Sequence, residues 1–184
     1  MATIVGIAGS LRKASFNAAL LRAAAGLSPE GTTLEVASIA GIPLYDGDLE
    51  SERGIPEPVA KLKDRIAAAD GLLLVTPEYN NSVPGVLKNA IDWLSRPPQD
   101  IPRVFGDKPV AILGATIGIA GTRLAQTAWL PVLRTFGMRL WCGKQLYVAS
   151  ASQGFDAGGR LTDEKVKKLL TEFVAGFAAF VNDR

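Results

Sequence analysis

Histidine is absent from this sequence and cysteine occurs once, at Cys142. Without histidine there is no Ser-His or Cys-His nucleophile and no imidazole base at neutral pH. A lone cysteine forms no disulfide within the chain, and a structural zinc site needs several Cys or His ligands. Cys142 therefore reads as a small buried hydrophobe, no metal is expected, and the setting is expected to be reducing and cytoplasmic. No apolar run approaches membrane-spanning length, and Met1 leads into a strand-like run at 4–8 rather than into a charged segment and an apolar signal region. The 20 basic and 18 acidic residues are intermixed, leaving no basic block to follow a phosphate backbone. Membrane and nucleic acid are thus not expected partners, and an enzyme without histidine, the commonest base at neutral pH, is expected to leave its chemistry to a cofactor.

What is present is apolar surface in strand-length portions. The 184 residues are 48% hydrophobic, enough for one domain spanning 1–184 with its own core. Runs rich in Val, Ile and Leu recur at 3–8, 34–39, 71–76, 110–115 and 140–148, each apolar enough to be buried on both faces. Between them, 16–25, 58–69, 84–95, 122–136 and 162–181 carry helical spacing, although Pro131 predicts a kink or a late start in the fourth. Five alternations of strand and helix predict an α/β protein, a five-stranded parallel sheet with helices on both faces. In such a sandwich, ligands bind beyond the carboxyl ends of the strands. Pro97, Pro98 and Pro102 predict a stiff loop before the fourth strand.

Three loops at that end carry chemistry. The first, Gly9-Ser10-Leu11-Arg12-Lys13-Ala14-Ser15-Phe16-Asn17, offers hydroxyls, amides and a guanidinium at a helix N-terminus, which suits a phosphate monoester. Ser10, Arg12, Ser15 and Asn17 are the ligand candidates; the alternative is that Ser15 only caps the helix and Arg12 is a solvated charge. Neither G-x-G-x-x-G after the first strand nor G-x-x-x-x-G-K-[ST] anywhere is found, which removes support for dinucleotide and P-loop readings. The second loop, 76–85, is bracketed by Pro77 and Pro84, and its Glu78, Tyr79 and Asn80 could edge a flat polar ring system, or could form an ordinary polar turn. The third, 114–122, is small enough for backbone to approach such a ring.

The segments Gly9–Asn17, Pro77–Asn80 and Ser82–Arg96 resemble the NAD(P)H-dependent FMN reductases, the family that includes bacterial chromate and quinone reductases. The similarity runs in order along essentially the whole chain and includes Pro43-Leu44-Tyr45-Asp46. It implies a flavodoxin-like three-layer sandwich of strand order 2-1-3-4-5, noncovalent FMN and a homodimer or homotetramer. By position, Ser10, Arg12, Ser15, Phe16 and Asn17 would surround the phosphate and ribityl chain. Pro77, Glu78, Tyr79 and Asn80 would edge the ring, with Ala115, Thr116 and Gly118 on its other side. Asn80, Ser82 and Arg96 are weaker candidates for substrate contact, Arg96 reading more readily as a helix-terminal cation that meets the dipole or solvent. Several relatives carry Ser or Thr where this chain reads Gly114-Ala115-Thr116, so a hydroxyl contact to the ring is expected to be missing.

Such a site implies hydride transfer from NADPH or NADH to FMN, then two-electron reduction of a small acceptor such as a quinone, a flavin or chromate, in ping-pong order. No catalytic side chain is nominated. The rivals are a flavodoxin-type electron carrier or an FMN-binding protein, neither with its own NAD(P)H oxidation, although such carriers are usually strongly acidic and this chain has net charge +2.

Overall fold

The computed structural model describes residues 1–183. Strands β1 (Ala2–Ala8), β2 (Thr32–Ala37), β3 (Gly71–Val75), β4 (Pro109–Ala115) and β5 (Arg139–Leu140) form a parallel sheet in the order β2-β1-β3-β4-β5, and β6 (Tyr147–Val148) also pairs with β4. The helices are α1 (Phe16–Ala25), α2 (Gly47–Arg53), α3 (Glu57–Ala68), α4 (Gly85–Leu94), α5 (Ile101–Val104), α6 (Arg123–Thr135), α7 (Ala151–Gly154) and α8 (Glu164–Asn182). The expected flavodoxin-like order is therefore present, and strand order reverses between β1 and β3.

Successive side chains of a strand point to opposite faces, and the core divides on that period. Val5, Ile7, Leu72, Leu74, Val110 and Ile112 pack on the side of α3, α4 and α6, where Trp93 and Trp129 are fully buried. Ile4, Leu73, Val75, Ala111 and Leu113 pack on the side of α1 and α8, against Leu20, Leu21, Phe173 and Phe177. Each large apolar side chain removed from water contributes about 1.5–3 kcal/mol before entropy is counted, so these two layers hold the sheet in place. The sheet in turn fixes the loops at its carboxyl edge.

Several sequence expectations are corrected or refined. The strand expected over 140–148 breaks in two: the Trp141 amide still donates to Val110 O at 2.8 Å, then the chain leaves the sheet and rejoins at Tyr147 opposite Gly114. Cys142 lies in that excursion and is exposed, not a buried hydrophobe. β2 is an edge strand, so Thr33, Glu35 and Val36 are exposed rather than covered on both faces. The stiff loop at 97–103 contains a 3-10 turn (Pro98–Asp100) and α5. α6 begins at Arg123 and runs through Pro131, and α2, capped by the Asp46 side chain, buries no residue.

Candidate functional site

The loops after β1, β3 and β4 meet above three neighbouring strands. They enclose a cleft of about 170 Å³ lined by Ser10, Arg12, Ser15, Phe16 and Asn17 from the first, Pro77, Glu78 and Tyr79 from the second, and Ala115, Thr116 and Ile117 from the third. Ten of these were candidates from sequence. Ile117, 69% exposed, was not, because one apolar residue in a small-residue loop carries no periodic signal. Asn80, Ser82, Gly118 and Arg96 lie outside this lining.

Local bonding explains each placement. Ser15 caps α1, its hydroxyl accepting from the Ala18 amide at 3.2 Å. The amides of Phe16 and Asn17, in the first helical turn, have no intrahelical acceptor and carry the positive end of the helix dipole. Ser10 Oγ accepts from the Arg12 amide at 3.3 Å, bending the loop while the Arg12 guanidinium remains exposed. Phe16 packs at 5.6 Å on Phe155. Asn17 is 4% exposed, and its carboxamide bonds both N and O of Ala115, so it serves as a brace between α1 and β4.

In the second loop, Thr76 Oγ1 donates to Pro77 O at 2.8 Å and accepts from Trp129 Nε1 at 3.2 Å, anchoring the loop on the core. Tyr79 and Ser82 exchange backbone hydrogen bonds of 3.1 and 3.0 Å around Asn80 and Asn81, whose φ values of 49° and 60° are tolerated best by Gly, Asn and Asp. Asn80 and Ser82 thus sit on an exposed turn. Glu78 Oε2 accepts from the amides of Leu124 and Ala125 at 2.9 and 3.0 Å, joining the second loop to the start of α6. At Gly114 a Cβ would lie 2.0 Å from Thr76 O and 2.5 Å from Thr122 Oγ1, so no hydroxyl-bearing residue fits there. Thr116 supplies the nearest hydroxyl of that loop to the cleft.

Arg96 is engaged elsewhere. Its Nε donates to Glu50 Oε1 and Oε2 at 3.1 and 2.8 Å, and the Tyr45 hydroxyl donates to Glu50 Oε2 at 3.0 Å. The Arg96 hydrogen bond holds the Glu50 carboxyl below the usual carboxylate range, and bonding to Glu50 raises the Tyr45 phenol. Buried Lys63 bonds Arg96 O and the Asp100 carboxylate, pinning the chain beyond α4.

Hydroxyls, first-turn amides and one guanidinium form a donor set that fits a phosphate monoester, whereas no group of three His, Cys, Asp or Glu able to hold a metal exists among the described residues. The proline-edged second loop and the exposed side chains of Tyr79 and Ile117 fit a flat, partly apolar ring beside that phosphate. No helix among the described residues is long and apolar enough to cross a membrane.

Known proteins share this frame. The family model described as NADPH-dependent FMN reductase matches residues 2–153. The chain is 46% identical over 169 residues to an NAD(P)H-dependent FMN reductase of Pseudomonas aeruginosa, covering 92% of this chain and 89% of that protein. It is 42% identical over 178 residues to a 2-hydroxy-1,4-benzoquinone reductase of a Burkholderia species, covering 97% and 95%. Among solved structures, the flavoenzyme NAD(P)H:(acceptor) oxidoreductase FerB of Paracoccus denitrificans superposes with TM-score 0.87 at 35% identity, over 99% of this chain and 98% of that one. With the family model covering most of its length, this chain belongs to the NADPH-dependent FMN reductase family.

Proposed function

We propose that this chain binds one FMN noncovalently in the three-loop cleft and passes electrons from NAD(P)H to a small acceptor, with quinones as the first class to test. The observation that carries the reading is the convergence of Ser10, Arg12, Ser15, Tyr79 and Thr116, from loops far apart in sequence, on one cleft at the start of α1. Family membership and the relatives named as FMN and benzoquinone reductases support it.

FMN, when bound, supplies the hydride-accepting and electron-donating chemistry. The protein's share is binding and placement. Ser10, Arg12, Ser15 and the free amides of the first turn hold the phosphate, and charge-assisted bonds to a dianion are about twice as strong as neutral ones. Pro77 and the Thr76–Trp129 anchor keep the second loop rigid, so that Tyr79 and the backbone near it edge the ring. Hydride transfer needs no side-chain acid or base, in keeping with a chain that has no histidine. A cleft open enough to admit donor and acceptor in turn would give ping-pong kinetics and a broad acceptor range that extends to flavins and chromate. We take the chain to act as one domain, in the cytoplasm, as a homodimer or homotetramer.

Anaerobic titration of the FMN-loaded protein with NADPH and NADH, followed by flavin absorbance, tests this. Bleaching, then recovery on adding a quinone, is the expected result. If FMN binds and neither nucleotide bleaches it, the carrier reading replaces this one.

A further inference from the structure

Beside the cleft stands a set of four cations, three of them without a carboxylate partner among the described residues. Many bases of this chain have acidic partners: Lys61 meets Glu57, Arg65 meets Glu35, Lys88 meets Asp92 and Arg103 meets Asp64. Among the described residues the side chains of Lys13, Arg22 and Arg160 have none, and Lys167 makes only a 3.5 Å contact with Glu164. These four surround one groove. It comprises a cavity of about 630 Å³ that includes Lys13, Phe16 and Phe155, and one of about 450 Å³ that includes Ala19, Leu27, Arg160 and Lys167. The two share Arg22, Gly158 and Gly159, and the first shares Ser15 and Phe16 with the three-loop cleft. A ligand can therefore run without a break from the cleft along α1.

The groove is built rather than incidental. Its outer wall, the loop 156–160, is closed by Asp156, whose Oδ1 accepts from the amides of Gly158 and Arg160 at 3.0 and 2.8 Å. The one carboxylate lining the groove is thereby turned to its own backbone. Gly159 has φ 77°, a left-handed conformation that favours glycine, and it lies within van der Waals reach of Arg22 and Ala19, so this wall stands against α1. The floor of the far cavity is apolar, made by Ala19, Ala23, Leu27 and Leu161. From Phe16 to Gly26 the helix face covers roughly 15 Å.

A ligand suited to this shape has a flat apolar body, a strong anion beyond it and a tether reaching into the cleft. We propose that the groove holds the 2′-phosphorylated adenosine end of NADPH, with the purine on the Ala19–Leu27 floor and the 2′-phosphate between Arg22 and Arg160. Guanidinium pairs match phosphate geometry, and NADH has no anion for them. The consequence is a preference for NADPH over NADH. The assignment rests on the cleft taking FMN as proposed above.

Calorimetry of the FMN-loaded protein with adenosine 2′,5′-bisphosphate, 5′-AMP and inorganic phosphate tests it directly. The bisphosphate is expected to bind at least about tenfold more tightly than either of the others, a margin of about 1.4 kcal/mol. Arg22→Ala with Arg160→Ala is expected to erase that margin and to raise KM for NADPH about tenfold, a shift typical of one lost charge-assisted contact. Ala23→Phe, which fills the floor and removes no charge, is expected to weaken the bisphosphate as well. Equal binding of the three ligands, or a margin that survives the double variant, overturns the proposal. In either of those cases, flavin bleaching by NADPH would leave the reductase reading standing. If neither nucleotide bleaches the flavin, that reading fails, and the calorimetric result still decides the groove.

Discussion

Asn17 and Ala115, 98 residues apart, hold each other at two points: Asn17 Nδ2 donates to Ala115 O at 2.8 Å, and the Ala115 amide donates to Asn17 Oδ1 at 2.9 Å. The pair ties the first turn of α1 to the last residue of β4, so the first and third walls of the cleft move as one. Removing the carboxamide leaves a buried carbonyl and a buried amide without partners, at about 1–3 kcal/mol each. Asn17→Ala is expected to lose roughly 2–6 kcal/mol in urea unfolding, and to weaken FMN binding more than Ser10→Ala does. Asn17→Asp keeps the acceptor and loses the donor, so it should fall between. Equal FMN affinity in Asn17→Ala and wild type would show that the brace does not shape the cleft.

Glu78 does for the second and third loops what Asn17 does for the first and third. Its carboxylate takes two amides at the start of α6, where the helix dipole favours a negative charge. Replacement by alanine is expected to cost about 0.5–2 kcal/mol, the range of a lost helix cap, and Glu78→Gln should recover part of it. Thermal melts of the two variants check the order. A Gln variant no better than Ala would mean that the charge alone, not the hydrogen-bond geometry, is what α6 uses.

Gly114 is expected to tolerate no side chain. A Cβ 2.0 Å from Thr76 O can be accommodated only by shifting the backbone of β3 or β4, and overpacking of well-packed interiors costs about 1–3 kcal/mol or more. Since Thr76 also anchors the second loop through Pro77 O, Gly114→Ala should lower both the melting temperature and FMN affinity. Gly118→Ala is the control: its Cβ would have no neighbour closer than 3.8 Å and should leave the melting temperature within about 2 °C of wild type. A wild-type melting temperature in Gly114→Ala would contradict the close approach.

The sheet, the main helices and the three loops could be read in advance because long period-2 and period-3.6 apolar patterns are local properties of the chain. What escaped has no such local signature. α2 has a single apolar residue, Leu49, only partly buried against the core, so it carries no periodic stripe from which a helix could be read. The break in the strand expected at 140–148 depends on Trp141 turning into the α8 layer, 4.8 Å from the Phe173 ring, which is a tertiary packing fact. Within the cleft, residue types were legible and partners were not. Glu78 looked like a ring contact because its helix N-terminus lies 46 residues on, and Arg96 looked free because Glu50 lies 46 residues back. The groove along α1 was invisible for the same reason, since Arg22 and Arg160 share no segment.

The contacts of Glu50 with Arg96 and Tyr45, and of Asp100 with Lys63, make stability depend on pH. Glu50 sits between Arg96 and Tyr45, and the Arg96 hydrogen bond, with a smaller contribution from the Tyr45 hydroxyl, holds its carboxyl below the usual range. Asp100 is lowered in the same way by Lys63. A carboxyl whose folded pKa is depressed binds fewer protons in the folded chain than in the unfolded one, so its contribution is complete above the ordinary values, about 4.3 for Glu and 3.9 for Asp. It is lost as pH falls through the lower folded values. Tyr45 has the opposite sense: its raised phenol contributes below about pH 10 and the contribution disappears as pH rises through the folded value. The melting temperature of the wild type is therefore expected to be flat from about pH 6 to 9 and to drop steeply below about pH 4.3. Glu50→Gln removes one of these groups; it should melt lower at neutral pH and decline less steeply in acid, bringing the two curves together below pH ~4. Melting curves that stay parallel from neutral to acid pH would show that the Glu50–Arg96 contact contributes nothing to the folded state.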